Sequence, residues 1–413
     1  MTEAENPDSG HGHDDMLPLP EARERVLELR ERWLDRLETE SVPIERIVGR
    51  TLAEPIDAPA DRPPRSHATM DGYAFDASEG YPYELLDVEV FPERDPPELG
   101  AGEAVRIFTG APLPPSANAV LKQEEATVEN GHLSGTEIEP GTYVYQRGSN
   151  VAAGERLFEA GERLGAKDAL LLGDLGIESV AVRTPLSVGL LATGTEIHEW
   201  RQTDLDSPML ENLVRTWGHE ASYGGTVPDD YDRVRNRIAQ LADTHDVVMT
   251  TGGTSVGKKD HVVRALSELG EVLFHRVPLR PGKPIAVAEL PSHDAVVFAI
   301  PGKPVGAHAV TALVAGPFFT GQTSLPTVEA TLTRDVGIAV SGFTYAIPVT
   351  LEDGEAMPLG HVDSPLSVYE ETFDPSVISS STRATRADGV VLTEGALSAT
   401  ESVDVVPYPA LER

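Results

Sequence analysis

The chain contains no cysteine, which excludes a disulfide framework, a thiolate metal site and a cysteine nucleophile. No apolar run approaches the roughly 18 residues that a membrane span needs. The N-terminus shows neither the basic start nor the apolar stretch of a signal peptide. Basic residues are scarce, with 33 Lys and Arg against 67 Asp and Glu. Because nucleic acid and anionic lipid both require clustered cations, we expect neither partner, and we predict a cytoplasmic protein.

The acidic excess gives a formal net charge of −34. This balance is typical of a solvated surface adapted to high salt, and we predict a salt-adapted prokaryotic source; an acidic interaction tail is the alternative. Hydrophobic residues make up 40% of the chain, as in ordinary globular proteins. Because a chain of 413 residues is longer than one hydrophobic core usually serves, we predict several domains.

The composition and the hydrophobic periodicity of the sequence change several times along the chain. Residues 1–18 are polar and lack periodicity, which predicts a disordered tail. After Pro20, the residues Val26, Leu29, Trp33 and Leu37 recur at helical spacing, which predicts a helix. The predicted segments are a tail (1–18), an elongated N-terminal domain (19–57 with 145–184), a β-rich domain (58–144), an α/β domain (185–322) and a C-terminal β-domain (323–413).

Strands alternate with helices in the α/β segment, which predicts a doubly wound, mainly parallel sheet. Short β-like runs separated by proline and glycine predict the β-rich domain, and similar runs after Thr327 predict a small, barrel-like β-domain. The predicted fold class is therefore multidomain α/β, with an N-terminal helical and extended segment.

Two glycine-rich loops follow predicted strands in the α/β segment. In one, a strand expected to end at Leu191 leads through Thr193-Gly194-Thr195 to Glu196. The other is the stretch 251–260, TGGTSVGKKD. Glycines let backbone N–H groups approach a phosphate, and each loop ends in a carboxylate (Glu196, Asp260) suited to Mg²⁺. An acidic residue favoured by a helix N-terminus is the structural alternative for Asp260.

Two further turns read alike and carry cations. They are Leu279-Arg280-Pro281-Gly282-Lys283 and Ile300-Pro301-Gly302-Lys303. With Lys258 and Lys259, these turns hold the only concentration of lysines in an acidic domain. We therefore predict a pocket for an anionic ligand; a solvated surface turn is the alternative for each lysine.

A set of motifs appears in a fixed order along the chain. They are ATMDGYA (68–74), VRIFTGAPLPPSANAV (105–120), ATGTEI (192–197), TTGGTSVGKKD (250–260), LRPGKP (279–284) and IPGKPVG (300–306). The ordered set resembles the MoeA and gephyrin E-domain family of molybdopterin molybdenumtransferases, from about Glu21 onward. The resemblance implies insertion of molybdate, or tungstate, into adenylylated molybdopterin with Mg²⁺, and release of AMP. It also implies a homodimer whose active cleft lies between the α/β domain of one subunit and the lasso-like β-rich domain of the other.

The resemblance assigns roles to residues by their positions in these motifs. The implied catalytic residues are Asp71, Thr109, Glu196, Asp229 and Asp260, with Glu196 and Asp260 as metal ligands. The implied substrate-binding residues are Thr193, Gly194, Asn212, Gly252, Gly253, Ser255, Gly257, Arg280, Lys283 and Lys303. One serine among residues 379–381 is expected near the oxyanion.

Several positions depart from the family pattern. Asn150 stands where aspartate is usual, and Lys258 and Lys259 replace neutral or acidic residues. Arg280 replaces a lysine, while Lys303 and Gly306 replace an asparagine and a serine. The segment GFTYAIPV lacks an arginine expected to help hold molybdate.

Two other functions stay open beside the transferase. The first is a catalytically weak homologue that binds cofactor or acts as a scaffold. The second is a molybdopterin adenylyltransferase, because the α/β segment alone resembles those enzymes. A separate adenylyltransferase is also a possible partner that delivers substrate.

Overall fold

The computed structural model describes residues 16–254 and 261–413. These residues form two compact units. The first unit comprises the described residues up to Glu40, Val48–Thr51 and Val182–Arg413, and the second comprises Ser41–Ile47 and Leu52–Ala181. No helix in the described ranges is both long enough and apolar enough to cross a bilayer.

The α-helices of the described residues are α1 (Leu19–Leu34), α2 (Asp168–Asp174), α3 (Thr195–His198), α4 (Asp206–Thr216), α5 (Tyr231–Ala242), α6 (His261–Leu269), α7 (Pro304–Val310), α8 (Gly316–Thr320), α9 (Pro375–Ile378) and α10 (Tyr408–Leu411). A π-helical turn, Thr311–Ala315, joins α7 to α8. Short 3₁₀ helices cover Ile44–Arg46, Gln123–Glu125 and Thr382–Arg386.

The strands are β1 (Thr39–Pro43), β2 (Ile56–Asp57), β3 (His67–Ala68), β4 (Gly72–Phe75), β5 (Tyr83–Val90), β6 (Glu103–Ile107), β7 (Ala119–Lys122), β8 (Ala126–Glu129), β9 (His132–Gly135), β10 (Val144–Tyr145), β11 (Arg156–Phe158), β12 (Ser179–Arg183), β13 (Ser187–Thr193), β14 (Glu220–Val227), β15 (Val247–Thr251), β16 (Glu271–His275), β17 (Leu279–Arg280), β18 (Ala286–Leu290), β19 (Ala295–Ile300), β20 (Val328–Leu332), β21 (Thr344–Glu352), β22 (Glu355–Pro358), β23 (Gly360–His361), β24 (Ser367–Tyr369), β25 (Gly389–Thr393) and β26 (Ser402–Pro407).

Helix α1 follows the predicted helical pattern, with Pro20 in its first turn. A proline is tolerated there because the first N–H groups of a helix have no intrahelical acceptor. Val26, Leu29 and Trp33 are buried along one face. The helix ends at Leu34, so Leu37 lies beyond it, although Leu37 still packs against the same core.

The second unit contains a six-stranded sheet in the order β7-β4-β6-β5-β9-β8. Its pairings are antiparallel except for β5 with β6. Phe75 and Tyr83 are buried in it, and their rings stack at 4.4 Å between centroids. Two small antiparallel pairs, β2 with β11 and β3 with β10, also lie in this unit.

The first unit contains a six-stranded sheet in the order β14-β13-β15-β19-β18-β16. The first four strands run parallel and the last two are antiparallel to their neighbours. Alternate residues of β15 face opposite cores, with Val247 and Met249 packing beside α1 and α4 and Val248 packing beside α5 and α6. Helices thus cover both faces, as in a doubly wound fold.

The carboxyl ends of β13, β15 and β19 meet at one edge of this sheet, because Ala192 pairs with Thr251 and Thr251 pairs with Ile300. Strand β13 runs to Thr193, two residues past the predicted end at Leu191. The pairing of Thr193 with Val227 of β14 extends it.

The remaining strands of the first unit build a second sheet, in the order β17-β21-β22-β20-β26-β25. An additional pairing of β21 with β25 closes five of these strands into a small barrel. Strand β17 lies outside the barrel and pairs with β21 in parallel, Leu279 with Thr344 and Arg280 with Tyr345. The predicted multidomain α/β class is confirmed, whereas the predicted domain boundaries stay predictions.

Candidate anion-binding site

A cavity of about 570 Å³ opens at the carboxyl ends of β13, β15 and β19. This is the edge at which ligands bind in doubly wound sheets. The two glycine-rich loops, the two cation-bearing turns, the loop that contains Asp229 and one segment of the C-terminal region line it. The lining residues include Thr193, Gly194, Glu196, Ile197, Gln202, Asp229, Thr251, Gly252, Gly253, Thr254, Arg280, Pro281, Gly282, Lys283, Pro301, Gly302, Lys303, Gly306, Pro375, Ser376 and Ser379.

Among the described residues of the cavity wall, two carry carboxylates: Glu196 in the first loop and Asp229 in the loop after β14. Gly194 has φ +137°, and a Cβ added to it would lie 2.9 Å from Oε1 of Glu196, so a side chain here would be strained and crowded. The N–H of Asp229 donates to Oγ1 of Thr195, 3.0 Å away, which fixes the Asp229 loop to α3. Glu196 and Asp229 are thereby held on neighbouring loops.

The second loop turns sharply at Gly252 (φ +86°) and Gly253 (φ +66°). A Cβ on Gly252 would lie 2.6 Å from the carbonyl oxygen of Thr193, so the loop packs directly on β13. The N–H of Gly252 donates to the Ile300 carbonyl, and that of Gly194 donates to the Val227 carbonyl. These two amides are therefore used within the protein, contrary to the expectation that they face a phosphate.

Part of the predicted loop falls outside the described residues. Ser255, Gly257 and Asp260, together with Lys258 and Lys259, belong to this part, and their predicted roles stay predictions.

Two cations of the third loop lie against an aromatic ring of the C-terminal region. The guanidinium carbon of Arg280 is 3.9 Å from the ring centroid of Phe343, and Nζ of Lys283 is 5.7 Å from it. Phe343 belongs to the segment GFTYAIPV, in which the expected arginine is missing. A ring face attracts cations and so helps to hold both side chains in place.

The C-terminal region also contributes polar groups to the cavity. Lys303 donates from Nζ to the Ser376 carbonyl, 3.1 Å away, and Ser379 donates from Oγ to the same carbonyl at 2.9 Å. Ser379 is the one member of 379–381 that lines the cavity. Nothing in the sequence spacing singled out Ser376; the Asp374-Pro375 pair, which caps α9, was the available signal.

Three further positions named from the sequence have different surroundings. Asn212 is exposed on α4, donates from Nδ2 to the Pro208 carbonyl, and does not line the cavity. Asn150, in the second unit, donates to Oδ2 of Asp174. Gly306 does line the cavity, and a Cβ there would contact the turn at Pro281 and Gly282.

Asp71 and Thr109 lie together in the second unit. Both the backbone N–H and Oγ1 of Thr109 donate to Oδ1 of Asp71, each at 2.7 Å. These hydrogen bonds hold the pKa of Asp71 below its ordinary value, so the exposed carboxyl is ionised at neutral pH.

Fold and site together define a doubly wound α/β protein with a cavity lined by Arg280, Lys283 and Lys303. Two family models match the chain, the MoeA N-terminal region (domain I and II) at residues 17–176 and the probable molybdopterin binding domain at residues 189–320. The chain belongs to the molybdopterin molybdenumtransferase family, which confirms the resemblance found in its motifs.

Individual relatives support this membership. The molybdopterin molybdenumtransferase of Haemophilus influenzae is 31% identical over 304 residues, which cover 71% of this chain and 74% of that protein. The one of Synechococcus elongatus is 34% identical over 290 residues, covering 65% and 72%. A crystal structure of a molybdopterin biosynthesis MoeA protein from Pyrococcus horikoshii is 29% identical, has a TM-score of 0.67, and covers 95% of this chain and 99% of that one.

Proposed function

We propose that this protein is a molybdopterin molybdenumtransferase, which inserts molybdate into adenylylated molybdopterin and releases AMP. The observation that carries the proposal is one cavity that presents three cations (Arg280, Lys283, Lys303) and two carboxylates (Glu196, Asp229). The cations suit a phosphate-bearing substrate and an oxyanion. The carboxylates suit the metal ion that such phosphates require.

Magnesium is part of the proposal, and the donor set of the cavity fits it. Mg²⁺ is usually held by one or two carboxylates with substrate phosphates and waters, so a cage of three or more protein ligands is not needed. Glu196 and Asp229 supply carboxylates. Asp260 is proposed as a further ligand from its position in the TGGTSVGKKD motif. Bound Mg²⁺ would neutralise phosphate charge as a Lewis acid.

The cations of the cavity have distinct proposed tasks. Arg280 presents a planar guanidinium, which can bind a phosphate through two parallel hydrogen bonds. Lys283 and Lys303 are compact point charges suited to the smaller oxyanion. Molybdate is the proposed anion, and tungstate has the same charge and shape.

We also propose a homodimer with an active cleft shared between subunits, in which the Asp71 and Thr109 pair of one subunit serves the cavity of the other. The support is the family membership and the ionised, exposed state of Asp71. Delivery of substrate by a molybdopterin adenylyltransferase and the cytoplasmic location remain part of the proposal. The salt-adapted source also remains part of it, supported by the net charge of −34.

The proposal is tested by incubating the purified protein with adenylylated molybdopterin, Mg²⁺ and molybdate, and measuring AMP. AMP release that depends on molybdate is the expected result. Glu196→Gln, which keeps the side-chain size but removes the charge, should lower the rate without unfolding the protein. Tight binding of the substrate with no molybdate-dependent AMP release would contradict the proposal and favour a scaffold.

A further inference from the structure

A buried carboxyl group lies behind the second loop of the cavity. Asp206 begins helix α4 and is 6% exposed. Its Oδ2 accepts a hydrogen bond from Oγ1 of Thr251, 2.9 Å away, although the two residues are 45 positions apart in the chain. Its other oxygen, Oδ1, is buried and accepts no hydrogen bond from the described residues.

Thr251 passes this connection on to the cavity wall. It is the last residue of β15, and its carbonyl accepts a hydrogen bond of 3.1 Å from Oγ1 of Thr193, the last residue of β13. Thr193 and Thr251 both line the cavity, whereas Asp206 does not. Among the described residues, the hydrogen bond to Thr251 is what connects the Asp206 carboxyl to this wall.

The course of the glycine loop depends on the same two threonines. Gly252 follows Thr251 directly, and a Cβ on Gly252 or Gly253 would lie 3.0 Å from Oγ1 of Thr193. The loop is thus closely packed on Thr193, and a rotation of the Thr193 side chain would displace it. The hydrogen bond from Thr251 to Asp206 holds the residue that begins the loop, and the carbonyl of this same residue accepts the hydrogen bond of Thr193.

We propose that Asp206 is a positioning residue of the anion-binding cavity: by accepting the hydrogen bond of Thr251, it fixes loop 251–254 on Thr193 and sets the affinity for the phosphate-bearing substrate. This inference rests on the proposed function, because that reaction defines the substrate. Its effect falls on KM, since Asp206 contacts neither substrate nor reacting atoms.

Four variants test the proposal. Asp206→Ala removes the acceptor, Thr251→Val removes the donor with little change of shape, and Asp206→Asn keeps an acceptor in place. Asp246→Ala is the matched control: Asp246 lies at the opposite end of β15 and accepts two hydrogen bonds from Ser187, at 2.7 and 2.6 Å. Loss of the Asp246 carboxylate is expected to destabilise the same sheet at a place outside the cavity.

We expect Asp206→Ala and Thr251→Val each to raise KM for adenylylated molybdopterin about tenfold, with kcat changed less than about twofold. The double variant should be no worse than either single variant, because both remove the same hydrogen bond. Asp206→Asn should restore the KM of the unmodified protein, and Asp246→Ala should lower Tm without changing KM. An unchanged KM in Asp206→Ala, an Asp206→Asn variant as impaired as Asp206→Ala, or additive effects would overturn the proposal.

Hydrogen–deuterium exchange separates this inference from the proposed function. If the unmodified protein releases no AMP, the proposed function fails, yet exchange of the backbone amides of residues 252–254 still tests the positioning. Exchange should accelerate in Asp206→Ala and Thr251→Val, and not in Asp206→Asn or Asp246→Ala. Equal exchange in all four variants would contradict the positioning role.

Discussion

Lys303 and Ser376 join two parts of the cavity wall through a hydrogen bond of 3.1 Å, from the lysine Nζ to the serine carbonyl oxygen. An ammonium group has three donors, and this bond uses one of them. The lysine is exposed, follows a Pro-Gly turn, and precedes the first residue of α7. Its charge is thus held at the cavity by a backbone acceptor.

Replacing this lysine should weaken the dependence on molybdate. Lys303→Asn should raise the half-saturating molybdate concentration about tenfold, because a hydrogen bond to a charged group contributes about 1.5–3 kcal/mol. Binding of adenylylated molybdopterin should change little, since Arg280 and Lys283 remain. Lys167→Asn, at an exposed lysine of the second unit, is the control. An unaltered half-saturating molybdate concentration in Lys303→Asn would show that Lys303 does not bind molybdate.

The shared cleft predicts complementation between inactive variants. Asp71→Asn and Glu196→Gln proteins, each with little activity alone, should recover part of the activity when unfolded and refolded together. Mixed dimers would then contain one cleft with both carboxylates. Light scattering of the unmodified protein should give the mass of two chains, and a monomer with full activity would contradict the shared cleft.

Asp206 predicts a pH-dependent stability difference. Burial raises its pKa to about 6, with nearby Asp204 adding to the rise. Asp206 also lines a second cavity, and the lining of that cavity includes the titratable side chains of His308 and Glu412. Because the folded chain keeps a proton that the unfolded chain has released, the stabilising contribution is complete below pH 4 and is lost as pH rises through 6.

Asp206→Asn should therefore be more stable than the unmodified protein at pH 7.5, by about 1–3 kcal/mol, and equal to it near pH 4. Thermal or urea unfolding at several pH values measures the difference. A difference that does not vary with pH would mean that Asp206 does not titrate in this range.

The three tryptophans differ sharply in exposure, which makes fluorescence a direct test of the structure. Trp200 is 91% exposed, whereas Trp33 and Trp217 are 4% and 0% exposed. Iodide should quench one fraction of the emission and leave the rest, and Trp200→Phe should remove the quenchable fraction. Quenching that survives in Trp200→Phe would place another indole at the surface.

The net charge predicts a strong response to salt. Repulsion among carboxylates acts over about 10 Å at 0.1 M salt and over about 3 Å at 1 M. We expect Tm to rise steeply with added KCl. Sucrose at equal osmolality controls for general solute effects, and a flat response to KCl would contradict adaptation to high salt.

The sequence predicted those parts of the site that follow from local pattern. Strand and helix periodicity placed Glu196 and Lys303 just after strands of the predicted α/β sheet, where the cavity lies, and the Pro-Gly turn placed Lys283 at the end of a further strand. The contacts of Asp206 with Thr251 and of Arg280 with Phe343 join residues 45 and 63 positions apart. Local sequence patterns do not predict such contacts, because these contacts depend on how helices and strands pack in three dimensions.

The expected phosphate contacts of Gly194 and Gly252 show a second limit of prediction from the sequence. Their positive φ angles were inferable from glycine, but the partners of their N–H groups were not. The alignment of adjacent strand ends gave each amide a backbone acceptor.

Strand β17 has a practical consequence for anyone dividing this chain into parts. Its pairing with β21 carries Arg280 into the cavity, and Phe343, just before β21, supports that arginine and Lys283. An excised fragment ending before the barrel would leave the third loop without its strand partner and its aromatic support. We expect such a fragment to keep the parallel sheet and to have a lower affinity for anions. A screen for inhibitors therefore needs the intact chain.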